Sequence, residues 1–327
     1  MIDVNKKILK LTDDGIQVHN SILWLDSKKN GKLSFISSAL ECPKKIVPQI
    51  IATEATLKIS RHLGRCTKAL VCQYNRPFSL GKSSLELLPS GTLLGGSSLL
   101  LEHEKKSFLY APQLTLYKSE LDRETQLREA DILIIKASHP IHSRSVISHK
   151  KEFENLGNIA LTCLQKGITP IFLCPLLPTA PELTLSFSKM GIPLSVHRDI
   201  YKINKIYESY GARLGDYNLI FSPKSQKNRA ILLPRNYHFK KNPANDNKYD
   251  VFIINSSLEF SHFTPAQNSI SLHYGCNKLE LVRALKLIKP EKIYVFGPYA
   301  QKLTQSINEF ASTVTTLFPN DHAPLIL

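Results

Sequence analysis

Twice in this chain an amphipathic helical stretch runs directly into a short apolar one, and this pairing restricts the fold more than any other feature. KKEFENLGNIALTCLQKG (150–167) carries apolar residues near a 3.6-residue period and ends on a glycine suited to a helix C-terminus; ITPIFLC (168–174) follows at once. NKLELVRALKLIKPEKIYVFG (277–297) repeats the arrangement, with Asn277 as N-cap and Pro290 closing the helix before the next apolar run. Buried strands fed by helices are the units of α/β architecture. ILII (132–135), NLIFS (218–222) and DVFIIN (250–255) read as further buried strands, being short, rich in β-branched or aromatic residues and bounded by turn formers.

The first 115 residues have a different grain. SILWLD (21–26), KLSFIS (32–37), SSLELL (83–88), SSLLLEH (97–103) and KSFLYA (106–111) are short strands joined by turns, interrupted by a helix within 48–64 that Gly64 ends. A strand meander followed by helix–strand units predicts a layered αββα core with a more regular α/β insert. KKNPANDNK (240–248) is polar and rich in turn residues, which predicts an exposed loop.

A chain of 327 residues, 43% of them hydrophobic, has room for two domains. Its 42 Lys and Arg outnumber 27 Asp and Glu, a formal charge of +15 that no run of like charge concentrates. A field of that sign attracts polyanions, nucleic acid above all, through phosphate contacts and counterion release. The sequence contains no apolar run long enough to cross a bilayer and no signal-peptide pattern after MIDVNKKILK, so the expected address is the cytoplasm, with no membrane partner. Six cysteines without a C-x-x-C pair or a zinc-site spacing are expected to be reduced thiols.

No phosphate loop, G-x-S-x-G elbow or H-E-x-x-H motif is present, and LLGGSS (93–98) is a weak Gly-rich element. His139, His142 and His149 cluster after a strand, on a spacing better suited to a solvated loop than to a metal site.

The order of the pieces resembles the metallo-β-lactamase fold in its β-CASP branch, most closely the bacterial DNA-ligase-associated exonucleases. In that family an opening strand pair ends in aspartate, as LTDDGIQVHNSILWLD (11–26) does. A strand and a metal-binding H-x-H-x-D-H loop follow, where KLSFIS stands here. Turns of the P-A-G-H and L-G-S-A type lead into a strand ending in S-G-D, a course that 75–114 follows; ADILIIKASHP (130–140) sits where the family has a strand ending in an acidic residue. Near the C-terminus SLHYG (271–275), the helix after Asn277 and YVFG (294–297) stand for S-D-H-A-D, a helix and a strand ending in H-G. The resemblance implies a metallo-β-lactamase-like core over 1–140 and 266–327, a β-CASP-like insert over 141–265, and phosphodiester hydrolysis by two zinc or manganese ions.

The same correspondence places non-ligands at the family's ligand positions. The H-x-H-x-D-H loop falls on Ser38, Leu40, Cys42 and Pro43; the histidine of P-A-G-H falls on Thr92, the bridging aspartate on Gln113, the acidic strand end on Lys136 and the histidine of H-G on Phe296. His273 alone keeps its type. Gly91, Gly95 and Gly297 match family glycines that shape turns. Leu, Pro and Phe cannot coordinate a cation and an ammonium at position 136 repels one, so the expectation is no metal and no intact catalytic set. The resulting reading is a catalytically silent β-CASP-type protein that binds nucleic acid, with Lys136 as a contact, or serves as a scaffold beside an active nuclease, DNA ligase or helicase in DNA repair or RNA processing. The rival is a metal-dependent exonuclease with relocated ligands drawn from His139, His142 or His273.

Overall fold

The computed structural model describes residues 7–18, 21–28, 33–44, 49–65, 69–103, 105–116, 119–140, 149–220, 228–239, 248–258, 268–318 and 322–324. His142 and most of the 240–248 loop lie outside them. The described residues form a mixed α/β protein with three sheets, one of them all-parallel, and six α-helices. None of these helices is long and apolar enough to cross a membrane. The chain divides into two compact units, one of residues 1–144 with 275–327 and the other Ser145–Tyr274.

The first unit contains two seven-stranded sheets. One is built from β1 (Lys7–Thr12), β2 (Gly15–Val18), β3 (Leu23–Leu25), β4 (Leu33–Phe35), β5 (Ile50–Ala52), β6 (Ala69–Val71) and the C-terminal β20 (His322–Pro324), in the order β20-β1-β2-β3-β4-β5-β6. The other holds β7 (Phe78–Leu80), β8 (Ser83–Pro89), β9 (Ser97–His103), β10 (Lys106–Ala111), β11 (Ile132–Lys136), β18 (Lys292–Phe296) and β19 (Thr313–Thr316), in the order β19-β18-β11-β10-β9-β8-β7. Strand alternation divides their side chains between two faces. Phe35, Ile51, Leu87, Leu99, Phe108, Tyr110, Ile132 and Ile134 fill the core between the sheets. Their neighbours Ile50 and Ala52 pack outward with Leu57 of α1 (Glu54–His62). On the far side Leu109, Leu133, Ile135, Ile293 and Val295 pack with Leu281, Leu285 and Ile288 of α5 (Lys278–Ile288) and with Leu303 and Ile307 of α6 (Ala300–Ile307). The layers therefore run helix, sheet, sheet, helices.

The second unit is a six-stranded parallel sheet of β12 (Thr169–Cys174), β13 (Leu194–Val196), β14 (Asn218–Leu219), β15 (Ala230–Pro234), β16 (Tyr249–Ser256) and β17 (Ser269–Leu272), in the order β14-β13-β15-β12-β16-β17. Helices α2 (His149–Gln165), α3 (Thr179–Lys189) and α4 (Arg198–Ser209) cover one face, burying Leu156, Leu183, Phe187 and Ile200 against Phe172, Leu194, Val196 and Leu232. The unit extends past residue 265 because β17 completes its sheet by pairing with β16. NLIFS contributes only Asn218 and Leu219 to a described strand.

The turn at 89–97 shows why glycine is needed. Gly95 has φ +83°, and its carbonyl accepts from the hydroxyls of Thr53 (2.7 Å) and Thr56 (2.8 Å) at the start of α1. A Cβ there would lie 2.5 Å from the Thr56 backbone nitrogen. Gly95→Ala is expected to destabilise the protein by about 2 kcal/mol or more, through the left-handed backbone and that contact, read as a drop in the urea midpoint.

Candidate functional site

In the first unit the C-terminal ends of several strands bring a small charged group together. Asp26 directly follows β3 in a left-handed conformation (φ 48°) and is 8% exposed. Its Oδ1 accepts from the Ser37 backbone N–H (2.7 Å); its Oδ2 accepts from the Ser37 hydroxyl (2.7 Å) and the Tyr110 hydroxyl (2.8 Å). Burial, and then the nearby Glu41 carboxylate, push the Asp26 pKa up to about 6, against the pull of these three donors. The Tyr110 hydroxyl is held well above its ordinary value by burial and by Asp26. Tyr110 also stacks on Phe296, ring centroids 6.3 Å apart at 16°.

Lys136 ends β11, in register with Phe296 of β18. Its Nζ donates to Glu41 Oε1 at 2.7 Å, with the two side chains only 26% and 18% exposed. The loop after β4 holds the other expected positions. Ser38 is fully buried, Leu40 lends its carbonyl to Arg65 (3.1 Å), Cys42 packs with Ile36 and Leu57, and Pro43 is buried. Thr92 shares a 2.7 Å hydrogen bond with Ser90, and Gln113 is half-buried after β10. His139 lies against Gly275, where an added Cβ would come within 2.6 Å of its ring. Lys136 and Phe296 thus join the charged group; Thr92 is held in the 89–97 turn, and Ser38 and Cys42 are packing residues.

The donor set does not fit the two metal ions that the family resemblance implies. Such ions need several carboxylates and imidazoles free to coordinate. Here Asp26 already accepts three hydrogen bonds from hydroxyl and amide donors, Glu41 is paired with an ammonium, and Leu40, Pro43 and Phe296 have no donor side chain. Sequence reasoning missed Asp26, Ser37, Glu41 and Tyr110 as members of this group. The signal for Glu41 was a lysine at the end of a buried strand, since such a charge needs a counter-charge nearby.

His273 belongs to the second unit, as does His149. His273 Nδ1 lies 3.2 Å from Glu152 Oε1, and this hydrogen bond raises the imidazole pKa. His149 Nε2 is 3.2 Å from Glu182 Oε2, which also accepts from the Tyr274 hydroxyl at 2.7 Å; Tyr274 in turn contacts Thr179 (3.2 Å). His149 Nδ1 also lies 3.9 Å from Glu152 Oε2, so the start of α2, the first turn of α3 and the residues after β17 bring two histidines, two glutamates and a tyrosine into one network. His149 is a packed member of that network rather than a solvated loop residue, because α2 begins on it. Among the described residues, no group of three or more His, Cys, Asp or Glu is arranged to hold a metal ion.

Three outcomes follow from these charges. Because Asp26 has a raised folded-state pKa, its contribution to stability is full below about pH 4 and is lost as pH rises through 6, a span of about 3 kcal/mol. Asp26→Asn is expected to flatten this part of the stability–pH profile, and Glu41→Gln to move it to lower pH, both read by urea unfolding. In the second unit, Glu152→Gln is expected to lower the His273 pKa, read from its imidazole shifts by NMR titration.

No family model matches this chain. A protein named probable DNA ligase from Opitutus terrae is 19% identical over 300 residues, covering 88% of this chain, which spans 29% of that protein's length. The crystal structure of a protein of unknown function from Enterococcus faecalis V583 superposes with a TM-score of 0.63 at 14% identity, covering 94% of this chain and 84% of that one, a likeness of fold.

Proposed function

We propose that this chain is a β-CASP-type relative of the metallo-β-lactamase-fold nucleases that has lost hydrolysis and keeps binding, engaging nucleic acid or acting as a scaffold for a nuclease, ligase or helicase. The observation that carries this reading is the 2.7 Å Lys136–Glu41 ion pair at the strand end where the family places a metal-binding carboxylate. An ammonium there satisfies the local negative charge that cations would otherwise neutralise, so the group is electrostatically complete without them. The layered first unit, the parallel-sheet second unit, the net charge of +15 and the distant likeness to a probable DNA ligase support the same reading. Lys136 as a phosphate contact is less favoured, since Glu41 already meets its charge.

Retained hydrolysis with relocated ligands is the rival reading, and it draws on the network around His149, Glu152, Glu182 and His273. Purified full-length protein is expected to hold substoichiometric zinc and manganese by elemental analysis and to leave labelled DNA and RNA intact with either metal added. It is also expected to bind oligonucleotides at low salt, with affinity falling steeply as salt rises. Stoichiometric metal with cleavage would overturn the silent reading, and the absence of low-salt affinity would remove its nucleic-acid half.

A further inference from the structure

At the C-terminal edge of the second unit's parallel sheet, the ends of β13 and β15 lie beyond the histidine–glutamate network. From β13 the chain passes through α4 to β14 on one side; from β15 it goes on to β16 on the other. Connections that diverge from adjacent parallel strands open a crevice at their C-terminal ends, where open α/β sheets bind ligands. His197 follows β13 there, and Arg235 and Tyr237 follow β15. The His197 and Tyr237 rings meet at 5.6 Å, and Tyr237 meets Phe239 at 5.1 Å.

From His197 the solvent stripe of α4 continues with Arg198, Tyr201, Lys202 and Lys205 at helical spacing, over about 10 Å of axis. Tyr201 and Tyr217 form an edge-to-face pair at 5.5 Å, with the Lys205 ammonium 5.2 Å and 5.4 Å from their centroids; Lys205 donates to Glu208 Oε2 at 2.7 Å, so its charge is already met and it orders the rings rather than offering a phosphate contact. The Arg198 side chain is 71% exposed, with its Nε 3.9 Å from Asp199 Oδ1.

This region also gathers charge. Between 197 and 241 there are ten Lys and Arg against three Asp and Glu, close to half of the chain's net excess; six of the ten basic residues are among the described ones. Along the sequence, then, this segment carries a large share of the positive excess, and aromatic residues lie among its described cations.

We infer that α4 and the adjoining ends of β13 and β15 form a binding surface for single-stranded nucleic acid, with Arg198 and Lys202 meeting phosphates and Tyr237 offering a face for base stacking. The inference rests on the proposed nucleic-acid binding and gives it a location. Basic side chains alone would suit any polyanion; alternating cations and aromatic faces suit a strand whose bases are free to stack, and a duplex keeps its bases inside.

The test is fluorescence anisotropy of the full chain with labelled oligothymidylate and oligouridylate of about 16 nucleotides, and with a duplex of equal length, across a salt series. Arg198→Glu with Lys202→Glu, both on the exposed face of α4, is expected to weaken single-strand binding at least about tenfold and to lower the salt slope by about 1.4. Tyr237→Ala, checked for an unchanged melting curve, is expected to cost about five- to a hundredfold with the slope unchanged. Lys82→Glu with Lys105→Glu alters the net charge equally in the first unit and is expected to change affinity little. Single strands bound no more tightly than duplex, an α4 variant that binds like the parent, or a control pair that weakens binding equally would each overturn the surface while leaving nucleic-acid binding intact. No binding by the parent chain at low salt would overturn both.

Discussion

A carboxylate taken out of water must be solvated by the protein, and at Asp26 this requirement ties two sheets of the first unit together. The residue ends a strand of one sheet, and its partners are Ser37 beyond the next strand and Tyr110 on a strand of the other. Three donors do not fully replace water, so the carboxyl remains a reluctant anion with a pKa near 6. The arrangement around it follows from this. Tyr110 is held by Asp26 and stacked on Phe296, so the ends of β10 and β18 are tied to the end of β3. Glu41 adds a second negative charge, and Lys136 supplies the compensating positive one.

That balance changes how the group can act. A cluster of carboxylates and imidazoles concentrates negative charge and lone pairs until cations enter; here the ammonium is part of the polypeptide. The ion pair is partly sheltered, so breaking either side would leave a charge with reduced access to water. The second unit shows the complementary case, where histidines and glutamates from three elements share hydrogen bonds at the C-terminal edge of a parallel sheet.

Much of the fold was legible because burial leaves a period in the sequence. Asn277 and Glu280 form the reciprocal cap that opens α5, and Lys289 in the left-handed region followed by Pro290 ends it. The apolar run at 168–174 became the central strand of the parallel sheet. Helix α3 was hidden because Pro178 and Pro181 read as breakers, although proline in a first helical turn removes no intrahelical hydrogen bond. Helix α4 was not read from the sequence, although Ile200, Ile203 and Tyr207, all fully or almost fully buried, keep a helical spacing. The charge excess seemed diffuse because the basic residues of 197–241 are spaced along the chain rather than adjacent in it.

The sequence by itself determined that helical stretches feed buried strands at 150–174 and 277–297, and that the net charge is strongly positive. These follow from local periodicity and residue chemistry. Only the tertiary structure decided that Lys136 meets Glu41 across 95 residues, that Tyr110 reaches Asp26 across 84, and that His273 is held by Glu152 across 121. Pairings of this kind depend on distance and burial in three dimensions, and a one-dimensional pattern encodes neither.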